Sequence, residues 1–210
     1  MDPDGLLWGL PALVAGGVGW VWGWEWLWIG AIGLMAGLAW FFRDPARRIP
    51  REAGAIVSPA DGKVTEIAPN EDAARGPVPG TRVSIFLSVM DCHVNRAPCA
   101  GEVRAIRYRR GRFLNALSPA SGDANESNWI SLDCGQRGIA VRQIAGLIAR
   151  RIVCRVSEGE VLERGQRIGL IRFGSRVELY LPAEARIEVR VGQKVRGGAS
   201  VVAFWPTPQP

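Results

Sequence analysis

Apolar residues dominate the first fifth of the chain and then give way abruptly. Residues 5 to 42 hold one charged side chain, Glu25, and seven of the nine tryptophans. A helix through that run would be about 57 Å long at roughly 1.5 Å per residue, against roughly 30 Å for the hydrocarbon core of a bilayer. The pattern therefore predicts a break at Trp22-Gly-Trp-Glu-Trp26 and a hairpin of two segments, 6 to 22 and 26 to 42. Tryptophan favours the membrane interface and a lone carboxylate is costly at the bilayer centre, so the turn belongs at the far interface. Six glycines from Gly5 to Gly23 and Pro11 weaken a regular spanning helix in the first half. A shallow re-entrant wedge is the second reading.

Beyond residue 52 the period changes. Thr81 to Val89, Ile168 to Phe173, Val177 to Leu181 and Ile187 to Val191 alternate apolar and polar residues, the signature of half-buried strands. No long helical stripe follows; Val141 to Ile148 is the best candidate and reads equally as a buried strand. The fold class expected is mainly β (α+β), a helical hairpin followed by a β barrel or sandwich. Asn70 to Gly80 reads as a loop, and Asn115 to Asn128 as a longer one and a candidate functional flap. Val156, Gly159, Leu162, Gly165 and Ile168 recur 33 positions later as Val189, Gly192, Val195, Gly198 and Val201. Each copy resembles the hammerhead unit of biotinyl and lipoyl carrier domains and of membrane-fusion adaptors. Two such half-motifs suggest a pseudo-symmetric barrel or sandwich.

Charge sharpens the division at residue 42. The net charge is +6, lysine occurs only at 63 and 194, and arginines crowd at 43 to 51, 104 to 112 and 142 to 155. Basic residues directly after an apolar run mark the cytoplasmic side, which places residues 43–210 at the cytoplasmic face of the cell membrane. A basic, membrane-associated chain meets anionic headgroups first, and the basic runs lack the interleaved aromatics of a nucleic-acid surface, so no nucleic-acid partner is expected. Asp2 and Asp4 in place of basic residues, with no small-residue cleavage site after the run, argue against a signal peptide. Cysteines 92, 99, 134 and 154 fit no metal-ligand or redox spacing and read as free thiols in a reducing compartment. With His93 the only histidine, common zinc sites lack ligands, and no metal is expected.

One bond stands out chemically. Gly174-Ser175 joins two strand-like segments, and a serine hydroxyl can attack the carbonyl before it, turning amide into ester. β-Elimination and hydrolysis would then leave a pyruvoyl group at 175. Gly174, without a Cβ, leaves room for that attack. His93 is the candidate base, and Asp61 of Ser58-Pro-Ala-Asp-Gly62 the group to orient it, an Asp-His-Ser relation of triad type.

The segments Phe41-Phe-Arg-Asp-Pro45, Ser58-Pro-Ala-Asp-Gly-Lys-Val64 and Phe86-Leu-Ser-Val-Met-Asp-Cys-His-Val-Asn-Arg-Ala-Pro98 continue in order with Phe113-Leu-Asn-Ala-Leu117, Asn125-Glu-Ser-Asn128, Arg142 to Arg151 and Phe173-Gly-Ser175. Together they resemble the short-form phosphatidylserine decarboxylase proenzymes. The resemblance implies a carboxy-lyase that cleaves itself into 1–174 (beta chain) and 175–210 (alpha chain), held as a heterodimer with higher oligomers left open. It implies a pyruvoyl cofactor derived from Ser175 that forms a Schiff base with phosphatidylserine and yields phosphatidylethanolamine. Catalytic roles fall on Ser175, His93 and Asp61, with cleavage at Gly174-Ser175. Longer bacterial relatives carry a second histidine where this chain has Arg96, so His93 serves both steps or processing leans on Asp61. The rival from another class is a non-enzymatic, membrane-anchored hammerhead carrier or transport adaptor. Lys194 lacks a carrier lysine's flanking residues, and the 33-residue offset leaves no room for an adaptor's helical hairpin.

Overall fold

In a computed structural model the described residues are 3–70, 77–118, 120–135, 137–147, 151–171 and 174–206. They form two compact units, Met1–Ala46 and Arg47–Pro210. The first is a pair of helices, α1 (Pro3–Val21) and α2 (Glu25–Phe41). Gly23 at φ 71° makes the break, a left-handed conformation that favours glycine. Close packing explains Gly19, where a Cβ would stand 2.6 Å from that of Leu27. The outer surface is apolar: Trp20, Trp22, Trp26 and Ile32 are all well exposed. Among the described residues no helix is long and apolar enough to cross a membrane, which corrects the expectation of two spanning segments. The break leaves 19 and 17 residues, where a crossing needs about 20 that are predominantly apolar.

The second unit is a curled antiparallel sheet forming a half-barrel, with two small sheets packed beside it. Its strands are β1 (Ala55–Val57), β2 (Gly62–Asn70), β3 (Gly80–Leu87), β4 (Val94–Arg96) and β5 (Gly101–Arg109), then β6 (Ser127–Asp133), β7 (Gly138–Ile144), β8 (Ile152–Cys154) and β9 (Val161–Leu162). β10 (Arg167–Ile171), β11 (Ser175–Pro182), β12 (Arg186–Ile187), β13 (Lys194–Val195) and β14 (Val201–Phe204) complete it. The large sheet runs β13-β2-β3-β11-β7-β6-β5-β9, and the small ones β1-β14-β12 and β4-β10-β8. One short helix, α3 (Ser121–Ala124), lies inside the long loop before β6. The ambiguous stretch from Val141 resolves as strand β7, its end at Ile148 lying outside the described residues.

Alternation sets the core. Val83, Ile85 and Leu87 of β3 stand beside Val177, Leu179 and Leu181 of β11, all fully buried on one face. β11 is nevertheless buried on both faces, because Ala116 and Gly122 of the loop before β6 are held over its other side by Arg176 and Arg142. That is why Arg176 and Glu178 are buried although they occupy the polar positions of the alternation, while Tyr180 on the same face packs with Val78, Ala140 and Trp129.

The 33-residue repeat is real in three dimensions. Val161 and Leu162 of β9 correspond to Lys194 and Val195 of β13, and Gly159, Gly165, Gly192 and Gly198 all adopt positive φ. The structure also shows a second pair of segments, offset by 39, that the sequence reading missed: Ser58-Pro-Ala-Asp-Gly-Lys-Val64 and Ala97-Pro-Cys-Ala-Gly-Glu-Val103. Val195 pairs with Gly62 as Leu162 pairs with Gly101. Gly198 N donates to Ser58 O as Gly165 N donates to Ala97 O, both at 2.8 Å. The halves interlock where Val57 N donates to Pro98 O and Arg96 N to Pro59 O. Identities are few, but the shared Gly and Val positions meet the same backbone demands twice.

Cys99 and Cys134 form a disulfide, correcting the expectation of four free thiols, with Cα atoms 6.9 Å apart. They lie 35 residues apart, but Glu102 pairs with Asp133 in the β5–β6 ladder, so the pairing brings both to one end of the hairpin.

Candidate active site

Ser175 is the first residue of β11, paired with Leu87 at the end of β3. Its side chain is fully buried, and among the described residues its Oγ has no hydrogen-bond partner. A buried hydroxyl without a partner is costly, and among the described residues Ser84 and Ser127 carry one as well; what sets Ser175 apart is the residue before it. Gly174, directly before it, has φ 54°, a left-handed conformation that glycine adopts without a Cβ clash. Phe173, the first residue of the Phe-Gly-Ser motif, lies outside the described residues.

His93 is tied through the backbone to segments that flank Ser175. It lies six residues beyond Leu87, the partner of Ser175, and its carbonyl accepts from Ile171 N at 3.3 Å, four residues before Ser175. A tight turn precedes it, in which Asp91 Oδ2 accepts from Ser88 N and Oγ at 2.8 and 2.7 Å. The buried imidazole has Nδ1 2.9 Å from the Asp91 carbonyl. A carbonyl only accepts, so Nδ1 carries the proton and in the neutral ring Nε2 is the basic nitrogen. Orientation of Nδ1 thus comes from a backbone carbonyl.

Asp61 sits in the Ser58–Gly62 turn. Its Oδ2 pairs with Arg47 at 2.7 Å and its Oδ1 accepts from Gly197 N at 2.7 Å. In the other half Ala100 occupies the corresponding position with the same backbone bonds, so the turn does not itself require a carboxylate. Arg96, three residues after His93, donates from Nη1 to Gly165 O at 2.8 Å. A guanidinium stays protonated and cannot act as a base.

Sequence reasoning missed two polar groups here. Asn128 Nδ2 donates to Gln143 Oε1 at 3.0 Å, and Gln143 Nε2 donates to Asn95 Oδ1 at 2.8 Å, all three residues buried. Gln143 pairs with Val177, which places its side chain on the face that carries Ser175. Polar residues at inward strand positions were the available signal. On the opposite face, buried Glu178 meets Arg82, Arg142 and Arg176 at 3.5, 3.4 and 3.2 Å and accepts from Tyr180 Oη at 2.7 Å. Burial, then Glu178, push the Tyr180 hydroxyl well above its ordinary pKa. A cavity of about 410 Å³ lies over this cluster, between the arginines and Gly122–Asp123. Arg176 and Arg142 also donate to the Ala116 and Gly122 carbonyls, so the cluster holds these two points of the loop down against the sheet.

Comparison with known proteins accords with this geometry. Residues 34–203 match the family model described as phosphatidylserine decarboxylase. A phosphatidylserine decarboxylase proenzyme of Cereibacter sphaeroides is 53% identical over 169 residues, 78% of this chain and 72% of that protein. The Saccharopolyspora erythraea proenzyme is 47% identical, covering 81% and 74%, and that of Ruegeria pomeroyi 50%, covering 82% and 80%. The β-rich unit with its buried serine is therefore an enzyme, a decarboxylase of phospholipid metabolism. The chain belongs to the phosphatidylserine decarboxylase family. Membership sets aside a non-enzymatic carrier or adaptor.

Proposed function

We propose that the chain cuts itself between Gly174 and Ser175, and that the two-chain product decarboxylates phosphatidylserine to phosphatidylethanolamine at the cytoplasmic face of the cell membrane. The observation that carries this reading is the buried Ser175 Oγ, without a hydrogen-bond partner among the described residues, directly after a left-handed glycine. In the first step Oγ bonds to the Gly174 carbonyl carbon, the C–N bond breaks, and the Oγ proton passes by way of a base to the freed nitrogen. His93, with Nε2 basic, is the base assigned to that transfer. Loss of the Ser175 α-proton then expels the Gly174 carboxylate, and water replaces the nitrogen, releasing ammonia and leaving a pyruvoyl group. That group supplies a carbonyl able to take up the electron pair released as carbon dioxide leaves.

Residues 175–210 stay in place after such a cut because β11 is laddered on both sides, to β3 and β7, while β13 pairs with β2 and β14 with β1. This supports a beta–alpha heterodimer of residues 1–174 and 175–210. The domain division is proposed as a membrane-associated segment, 1–42, and a catalytic domain, 43–210. The exposed tryptophans of the short helices support insertion as a wedge, and an open groove lined by Arg47, Arg48, Arg51 and Arg164 supports contact with anionic headgroups. No metal enters this scheme. Intact mass tests it: active protein should be two chains, the smaller blocked to Edman sequencing, and Ser175→Ala should stay whole and inactive. Full activity in wholly uncleaved protein would end the proposal.

A further inference from the structure

Gly146 follows β7 by two residues and is buried, yet it is not among the glycines with positive φ, so its own backbone does not demand glycine. The demand comes from a neighbour 28 positions along the chain. A Cβ on residue 146 would overlap the Gly174 carbonyl oxygen, far inside the 3.0 Å that real Cβ contacts respect, and would stand 2.9 Å from the carbonyl carbon. The third atom against that space is the Cβ of Ala116, at 3.4 Å. Both walls are fastened by one buried side chain: Asn125 Nδ2 donates to Leu114 O and Ala145 O, and its Oδ1 accepts from Leu114 N, each at 2.8 Å.

We propose that the bare Cα face of Gly146 is the seat of the scissile carbonyl, making Gly146 a positioning residue for self-cleavage, with Ala116 as the second wall and Asn125 as the clamp. This rests on the reading that the chain cleaves itself at 174/175. Attack by Ser175 Oγ turns the planar carbonyl carbon tetrahedral and swings its oxygen out of the peptide plane. The oxygen needs both a fixed starting place and free space beside it. A methyl group at 146 denies the first by displacing the carbonyl and the second by filling the gap. Displacement on the order of 1 Å at a reacting centre is enough to lose about 100-fold in rate.

The test is a time course of intact mass on full-length wild type, Gly146→Ala and Ala116→Val, with thermal melting of each beside uncleaved Ser175→Ala. Hydroxylamine, which cleaves esters and spares amides, is added at intervals. Gly146→Ala should stay folded but melt several degrees below Ser175→Ala, because the added methyl meets backbone, cleave at least about 100-fold more slowly than wild type, and accumulate as hydroxylamine-resistant amide. Ala116→Val, crowding the space from the loop side, should slow cleavage by a smaller factor. Cleavage of Gly146→Ala within twofold of wild type overturns the inference, as does accumulation of a hydroxylamine-sensitive ester, since either shows that ester formation does not need the seat. Should Gly146→Ala fail to fold, a folded Ala116→Val cleaving at the wild-type rate overturns it instead. A wild-type chain that never cleaves refutes the underlying self-processing reading, an outcome distinct from all of these.

Discussion

Glu178→Gln preserves the volume of a fully buried side chain and removes the charge that three guanidinium groups face. Removing one partner of a buried ion pair costs about 3–5 kcal/mol, chiefly because the other is left uncompensated. The loss here is not three times that figure, since each arginine has other company. Arg82 keeps Glu66 at 3.0 Å, Arg142 keeps the Gly122 carbonyl and the face of Trp129 at 4.8 Å, and Arg176 keeps the Ala116 carbonyl at 3.4 Å. The expected destabilisation is about 4 kcal/mol. At a urea dependence of roughly 2 kcal/mol/M that lowers the unfolding midpoint by about 2 M. The measurement belongs in a Ser175→Ala background, where a single covalent chain unfolds. A loss under about 1 kcal/mol would refute the reasoning, because it would mean that the guanidiniums reach solvent at little cost and that Glu178 does not anchor the cluster.

His93→Ala should slow cleavage at 174/175, and any cleaved fraction should decarboxylate poorly; normal cleavage with lost turnover would confine His93 to the second step. Tyr180 has its pKa raised in the folded state, so the fold binds more protons than the unfolded chain above about pH 10, and stability should fall as pH rises past that point. Tyr180→Phe should flatten that alkaline slope in urea titrations, and an unchanged slope would assign it elsewhere. Deleting residues 1 to 40 should leave a domain that still cleaves itself while turnover in anionic vesicles drops. Its residual vesicle binding should weaken with salt, since exposed charges are screened over about 8–10 Å near physiological ionic strength. Failure of the folded truncation to cleave would make the apolar segment part of the site.

What the chain discloses by itself is what neighbouring residues decide. The break at Gly23, the alternation along β3 and β11, the 33-residue repeat and the Gly174-Ser175 bond all depend on local backbone freedom or on period, and each was readable in order along the sequence. The two segments of the hairpin were also placed closely, expected at 6 to 22 and 26 to 42 and found at Pro3–Val21 and Glu25–Phe41, but neither helix is long and apolar enough to cross a membrane. Tertiary structure decided the rest by bringing distant residues into contact. Gly146 is an ordinary glycine until the Gly174 carbonyl is packed against it, and Glu178 an ordinary strand position until a loop covers that face. Cys99 meets Cys134 only through the β5–β6 ladder, and His93 Nδ1 takes its direction from a backbone carbonyl that any residue at 91 would supply. Backbone groups carry no sequence signature, and close approach between segments leaves at most a small residue whose reason lies elsewhere in the chain. Those are the features a linear reading passes over.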